Sequence, residues 1–265
     1  MPESAEEFIR CEKYVRDKGA VAVLTFARAD KMNPLDKRTV RTLNLHLDQL
    51  EQDPDVRAVI VMGEGAAFSA GGDLAGYLDL YEDAERFRHF LEDMRRAFDR
   101  LETGRLVSIA AINGVCVAGG LELVLSCDLA VMADDARIGD AHMTFWQLPG
   151  GGGSQRLPRV VGLTRAKQLF YTRELLSADD ALAMGLVTRV VNRERLLDSA
   201  LALADRAIHA PGSTVKTLKA LLSTSTNTPM AAGLTAEIDE LVGYATGPDD
   251  VARAGLREFF AEKKD

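Results

Sequence analysis

Glu122 stands in the stretch NGVCVAGGLELVLSC, bordered by Leu121, Leu123 and Val124. A carboxylate on so apolar a helix is costly to bury without a partner or a function, which favours a proton-transfer role over a structural one. Two glycine-containing turns lie nearby in type, AAFSAGGDL (66–74) and NGVCVAGGLEL (113–123). Each follows a strand-like run and enters a helix or turn, so each can aim backbone N–H groups outward. Paired donors from two such turns make an oxyanion hole, and a helix beginning near Gly119 adds the positive end of its dipole. The competing reading is that both are merely tight turns, where glycine is common. His142 carries a side chain whose ordinary titration range suits acid/base transfer.

Four consecutive glycines, Gly150 to Gly153, invite a phosphate-binding interpretation. A P-loop requires a lysine entering the helix, and none follows. The dinucleotide fingerprint needs a preceding hydrophobic strand, and MTFWQLP is a poor one that ends in proline.

The elements that would hold these residues follow from hydrophobic periodicity. CEKYVRDKGAVAVLTFAR reads as a hairpin around Asp17-Lys18-Gly19. Val40, Leu43, Leu47 and Leu50 share a helical face between Asp36 and Gln52, and VRAVIVMGEG follows as a buried strand. A second long helix spans about Asp83 to Glu102, striped by Phe87, Leu91, Met94, Phe98 and Leu101. The strand LVSIAAI, the short VCV, a helix from Gly119, and the runs LAVMAD and ARIGD continue the alternation. This order predicts an α/β core with helices packed outside the sheets. After GLVTRVV the chain reads as helical to its end, broken at Pro211, Asn227-Thr228-Pro229 and Gly247-Pro248.

The chain has 265 residues, 47% of them hydrophobic, enough for one large core or two unequal ones. Its formal charge of −8 opposes a nucleic-acid partner, which would require clustered Lys and Arg. Cys11, Cys116 and Cys127 show no metal-ligand spacing and read as reduced thiols in a cytoplasmic protein. The start MPESAEEFIR lacks the pattern of a signal peptide, and the longest apolar run is interrupted by Asn113, glycines and Glu122, so no membrane association is expected.

Several motifs in order resemble the enoyl-CoA hydratase/isomerase, or crotonase, family: ARADKMNPLD, GEGAAFSAGGDL, AAINGVCVAGGLELVLSCDLAVMADDARIGD, LPGGGGSQRLPRVVG, GLVTRVV and REFFAEKK. The resemblance implies a spiral of ββα turns over residues 1–192 and a helical trimerisation region over 193–265, assembling as a homotrimer or homohexamer. It implies an acyl-CoA thioester substrate, with no metal and no cofactor beyond the coenzyme A of that substrate. The N–H groups of Gly72 and Gly119 would receive the thioester oxygen. Ala29, Asp30, Lys31, Met32 and Ala70 match backbone that holds coenzyme A, and Phe260 and Lys263 match a last helix that reaches a neighbouring subunit's ligand. For Lys263 an exposed charge near a helix end is the alternative. PGGGGSQRL matches a turn that shapes the floor of the site, so the glycines are architectural. Asp73 is expected to brace its loop as a helix cap.

Family hydratases hold a water between two glutamates. Glu122 matches the first, but His142 stands where the second would be. Its imidazole either replaces the missing acid or only shapes the pocket, with Asp140 as a further candidate carboxylate. Gly150 replaces the aspartate found in relatives that move double bonds along dienoyl chains. Trp146, Tyr77 and Tyr81 are expected either to line the acyl pocket or to pack in the core. His46, His89 and His209 are expected in ordinary helices with no role. The resulting expectation is hydration or dehydration of a 2-enoyl-CoA. The alternatives are isomerisation, decarboxylation or thioester hydrolysis through the same enolate, or a non-catalytic acyl-CoA- or RNA-binding relative.

Overall fold

In the computed structural model, which describes residues 8–262, the chain opens with an antiparallel hairpin of β1 (Ile9–Arg16) and β2 (Gly19–Phe26). Helix α1 (Lys37–Gln52) begins where Asp36 accepts hydrogen bonds from the N–H groups of Arg38 and Thr39, at 3.1 and 2.8 Å. Its expected stripe of Val40, Leu43, Leu47 and Leu50 is buried. Next come β3 (Val56–Gly63), β4 (Ala67–Ser69), α2 (Leu74–Tyr81) and α3 (Ala84–Thr103). Asp83 caps α3 through the N–H groups of Glu85 and Arg86. The stripe expected on α3 divides: Met94, Phe98 and Leu101 enter the core, while Phe87 and Leu91 are only partly buried.

The chain then passes twice between two sheets. β5 (Val107–Ile112) leads to β6 (Val115–Val117) and α4 (Gly119–Ser126), and β7 (Leu129–Ala133) leads to β8 (Arg137–Gly139). Among the described residues one sheet orders its strands β1-β2-β3-β5-β7 and ends on β10 (Arg189–Val191); apart from the opening hairpin it is parallel. The other places β4, β6 and β8 in parallel, with β9 (Leu175–Leu176) antiparallel at its edge. Each turn of the chain thus gives one strand to each sheet, which is the spiral expected. Between β8 and β10 lie α5 (Gly153–Val161), α6 (Leu163–Thr172) and α7 (Ala178–Ala183).

Helices α8 (Leu196–Ala207), α9 (Gly212–Asn227), α10 (Met230–Thr246) and α11 (Val251–Glu262) complete the chain, with breaks at the prolines and glycine anticipated from sequence. α8 packs on β3, β5 and β7. α9 is tied down by Lys219, whose ammonium lies 2.7 Å from Asp128 and donates to the carbonyls of Leu101 and Leu106. α10 has no buried residue. Met230, Leu234, Ile238, Leu241 and Val242 are all exposed on it.

Three local expectations change. Asp73 occupies the N-cap position of α2, but its side chain makes no capping hydrogen bond. His209 lies in the turn after α8 rather than in a helix. Trp146 is 91% exposed at the end of a 3-10 turn, so it neither packs in the core nor lines the site cavity.

Candidate active site

Two crossovers between the sheets build one end of the site. The turn after β4 and the entry to α4 approach so closely that a Cβ on Gly71 would lie 2.8 Å from Cβ of Ala118 and 3.2 Å from N of Gly119. Gly71 also has φ +91, which only glycine adopts without strain. Neither Gly72 nor Gly119 donates its N–H to another group among the described residues. Both residues line a cavity of about 650 Å³, with Lys31, Ala70, Tyr77, Glu122 and His142. The orphan amide of Gly119 is the first of α4, where the helix dipole favours negative charge.

Buried polar side chains set this geometry. Asn113 accepts from the N–H of Gly63 at 2.9 Å and donates to the carbonyls of Gly65 and Ala67. Asn33 donates to the carbonyls of Glu64 and Ala67 and accepts from the N–H of Arg28. The Ser69 hydroxyl donates to the carbonyl of Asn33 and accepts from the N–H of Gly71. None of the three was singled out for this role from sequence. Their signal is a small polar residue beside an apolar strand or a glycine, and that pattern is too common to stand out.

Glu122 is 1% exposed and projects from α4. Its Oε1 accepts hydrogen bonds from the N–H groups of Gly151 at 2.8 Å and Gly153 at 2.7 Å. This is what the glycine run does: a Cβ on Gly151 would lie 2.9 Å from Oε2 of Glu122, and Gly152 turns the chain at φ +101 into α5. Arg156 braces the turn by donating to the Gly151 carbonyl at 2.8 Å, while also reaching Asp99 and Glu102. Burial raises the pKa of Glu122 above its ordinary value, outweighing the two amides and His142, which pull it down.

Oε2 of Glu122 lies 3.8 Å from Nε2 of His142. On the far side of the ring, Nδ1 is 2.6 Å from Oδ2 of Asp140, whose Oδ1 accepts from the N–H of His142 at 3.1 Å. Asp140 is 1% exposed and does not reach the cavity. It therefore stands behind the imidazole as its support, and does not supply a carboxylate to the site. Burial by itself would lower the pKa of His142, but the hydrogen bond and charge of Asp140, with the charge of Glu122, outweigh it and raise the value. The bond to Asp140 fixes Nδ1 as a donor and turns Nε2 toward Glu122. An imidazolium held this way can give a proton from Nε2, opposite a carboxylate able to take one.

Tyr77 and Tyr81 both line the cavity, with rings stacked at 5.9 Å, and the Tyr81 hydroxyl donates to Gln147 across its rim. Of the residues matched to coenzyme A binding, Lys31 and Ala70 line the cavity, and Asp30 lines an adjoining one with Arg28 and Arg38. Ala29 and Met32 belong to the same turn, held where the Met32 carbonyl accepts from the N–H of Ala70 at 2.9 Å. Phe260 is 59% exposed on α11, away from this chain's cavity, and Lys263 lies outside the described residues.

Comparison with known proteins agrees with this architecture. The chain is 33% identical to a crotonyl-CoA hydratase of Syntrophomonas wolfei over 245 residues, 92% of this chain and 93% of that protein. An enoyl-CoA hydratase structure from Bacillus anthracis superposes with a TM-score of 0.86 at 31% identity, covering 96% of each chain. Pseudomonas aeruginosa DspI superposes with a TM-score of 0.87 at 30% identity, covering 98% of this chain and 97% of that one. The model of the enoyl-CoA hydratase/isomerase family matches residues 16–265, and the chain belongs to that family.

Proposed function

We propose that this enzyme adds water across the double bond of a 2-enoyl-CoA thioester and catalyses the reverse dehydration. The observation that carries the reading is the 3.8 Å separation of Glu122 Oε2 and His142 Nε2, close enough for one water in the cavity beside them to contact both. Glu122 takes a proton from that water as its oxygen bonds to C3. The π electrons of C2=C3 move to the thioester oxygen, where the N–H groups of Gly72 and Gly119 stabilise the enolate. His142, whose protonated form is favoured by Asp140, then delivers a proton to C2 from Nε2. Coenzyme A enters as part of the substrate, along the turn of Ala29, Asp30, Lys31 and Met32 and past Ala70, and the chemistry needs no other cofactor.

The closely related hydratases support this assignment. The family's second glutamate is replaced here by His142, and that replacement favours a second reading in which the enolate is isomerised, decarboxylated or lost to thioester hydrolysis, because fold alone does not set its fate. A panel of 2-enoyl-, 3-enoyl-, malonyl- and 3-hydroxyacyl-CoA thioesters with product identification tests both. Hydration of crotonyl-CoA supports the first reading; turnover confined to the other thioesters replaces it with the second. No turnover of any thioester would leave an acyl-CoA-binding role.

We also infer assembly through the exposed face of α10, in a homotrimer or a dimer of trimers. Phe260 and Lys263 would then serve a neighbouring subunit's ligand.

A further inference from the structure

One polar group of the cavity has no part in the chemistry above. Tyr77 stands on α2, just beyond Gly72, with its ring among Tyr81, Phe87 and Phe90 at centroid distances of 5.9, 6.2 and 6.0 Å. Its hydroxyl presses against Gly72: a Cβ there would lie 2.0 Å from the phenol oxygen and 2.4 Å from Cζ. Among the described residues the hydroxyl makes no hydrogen bond. Tyr77 lines the cavity, so a hydroxyl without a protein partner there is open to a ligand's oxygen.

Glu122 and His142 are anchored to the Gly151–Gly153 turn and to Asp140, and face each other. Tyr77 stands beside the free amide of Gly72 and lines the same cavity. We propose that the Tyr77 hydroxyl donates a hydrogen bond to the thioester oxygen received by Gly72 and Gly119, as a third donor to the developing enolate. The phenol keeps its proton throughout: burial, with the negative charge of Glu122 adding to it, pushes its pKa up to about 12. The proposal rests on the acyl-thioester reading of the site, but not on which reaction the enolate undergoes. It also accounts for glycine at position 72, since any side chain there would displace the phenol.

Tyr77→Phe removes one oxygen and keeps the ring stack. Two measurements decide the matter: steady-state kinetics with crotonyl-CoA, and the infrared carbonyl stretch of bound butyryl-CoA labelled with ¹³C at C1. The saturated thioester binds without a double bond to hydrate, so the spectrum reads polarisation even if hydration is not the reaction. The expected result is a carbonyl band in the wild type at lower frequency than in the variant, with kcat lowered by roughly 10- to 100-fold and KM little changed. An identical carbonyl band in the two proteins overturns the proposal, whatever happens to kcat, and makes Tyr77 a wall of the acyl pocket. Failure of the wild type to hydrate crotonyl-CoA beside a shifted band would overturn the hydratase reading and leave the role of Tyr77 standing.

Discussion

At Glu122 one carboxylate oxygen is bound by two backbone amides, and the other is left for chemistry. Glu122→Gln should keep the fold, because an amide oxygen can still accept from Gly151 and Gly153. Turnover should nevertheless fall by ~10²–10⁴-fold while coenzyme A thioesters still bind, as stopped-flow and equilibrium titration would register. For His142 the sign of the pH effect follows from its raised pKa. The stability that its bond to Asp140 contributes is fully present below the ordinary imidazole value of 6.5 and is lost as pH rises through the higher folded value. Asp140→Asn should flatten that part of the Tm-against-pH curve and move the alkaline limb of kcat to lower pH. An unchanged limb would mean that His142 only shapes the pocket. Glu122 was legible in the sequence because a carboxylate among leucines demands a reason. The supporting position of Asp140 was not legible, because a spacing of two residues does not say which side chain faces the cavity and which stands behind.

Helix α5 and the turn before it act as a clamp on α4. Gly151→Ala would push a methyl group to 2.8 Å from Phe98 and 2.9 Å from Glu122. Overpacking of this kind costs about 1–3 kcal/mol, so a lowered denaturant midpoint with disproportionate loss of kcat is expected. The long elements were readable in advance: α1 and α3 combine an aspartate cap with an apolar stripe, and both begin where that pattern places them. The division of strands between two sheets was not readable from periodicity, since β4, β6 and β8 have three residues each, too few to show alternation. Helix α2 was anticipated only at its start, through Asp73; its eight residues lack a side-chain cap and expose several of their apolar positions, so periodicity did not mark its extent.

Among the described residues, the C-terminal helices carry a continuous exposed apolar stripe. Met230, Leu234, Ile238 and Leu241 follow helical spacing along α10, and an exposed stripe of that size favours burial against another copy. Light scattering should therefore report an oligomer, and Leu234→Asp with Ile238→Asp should shift the population toward smaller species. A monomer in the unmodified protein would reject this reading. Truncation after Gly247 should weaken coenzyme A affinity if α11 serves a neighbour's site; unchanged affinity in a folded truncation would remove Phe260 and Lys263 from it. The helical character of this region was plain from its periodicity. What covers it was not, because an apolar stripe specifies burial without naming the surface that provides it.

Asp140 is buried and gives both of its oxygens to His142. Positions 140 and 142 are consequently coupled in energy as well as in space. His142→Glu would recreate the two-glutamate arrangement of the family's hydratases, yet it would set three carboxylates side by side with no cation among them. That single step should lose stability and activity together, and Asp140→Asn added to it should recover part of both, a coupling that a double-mutant cycle would measure.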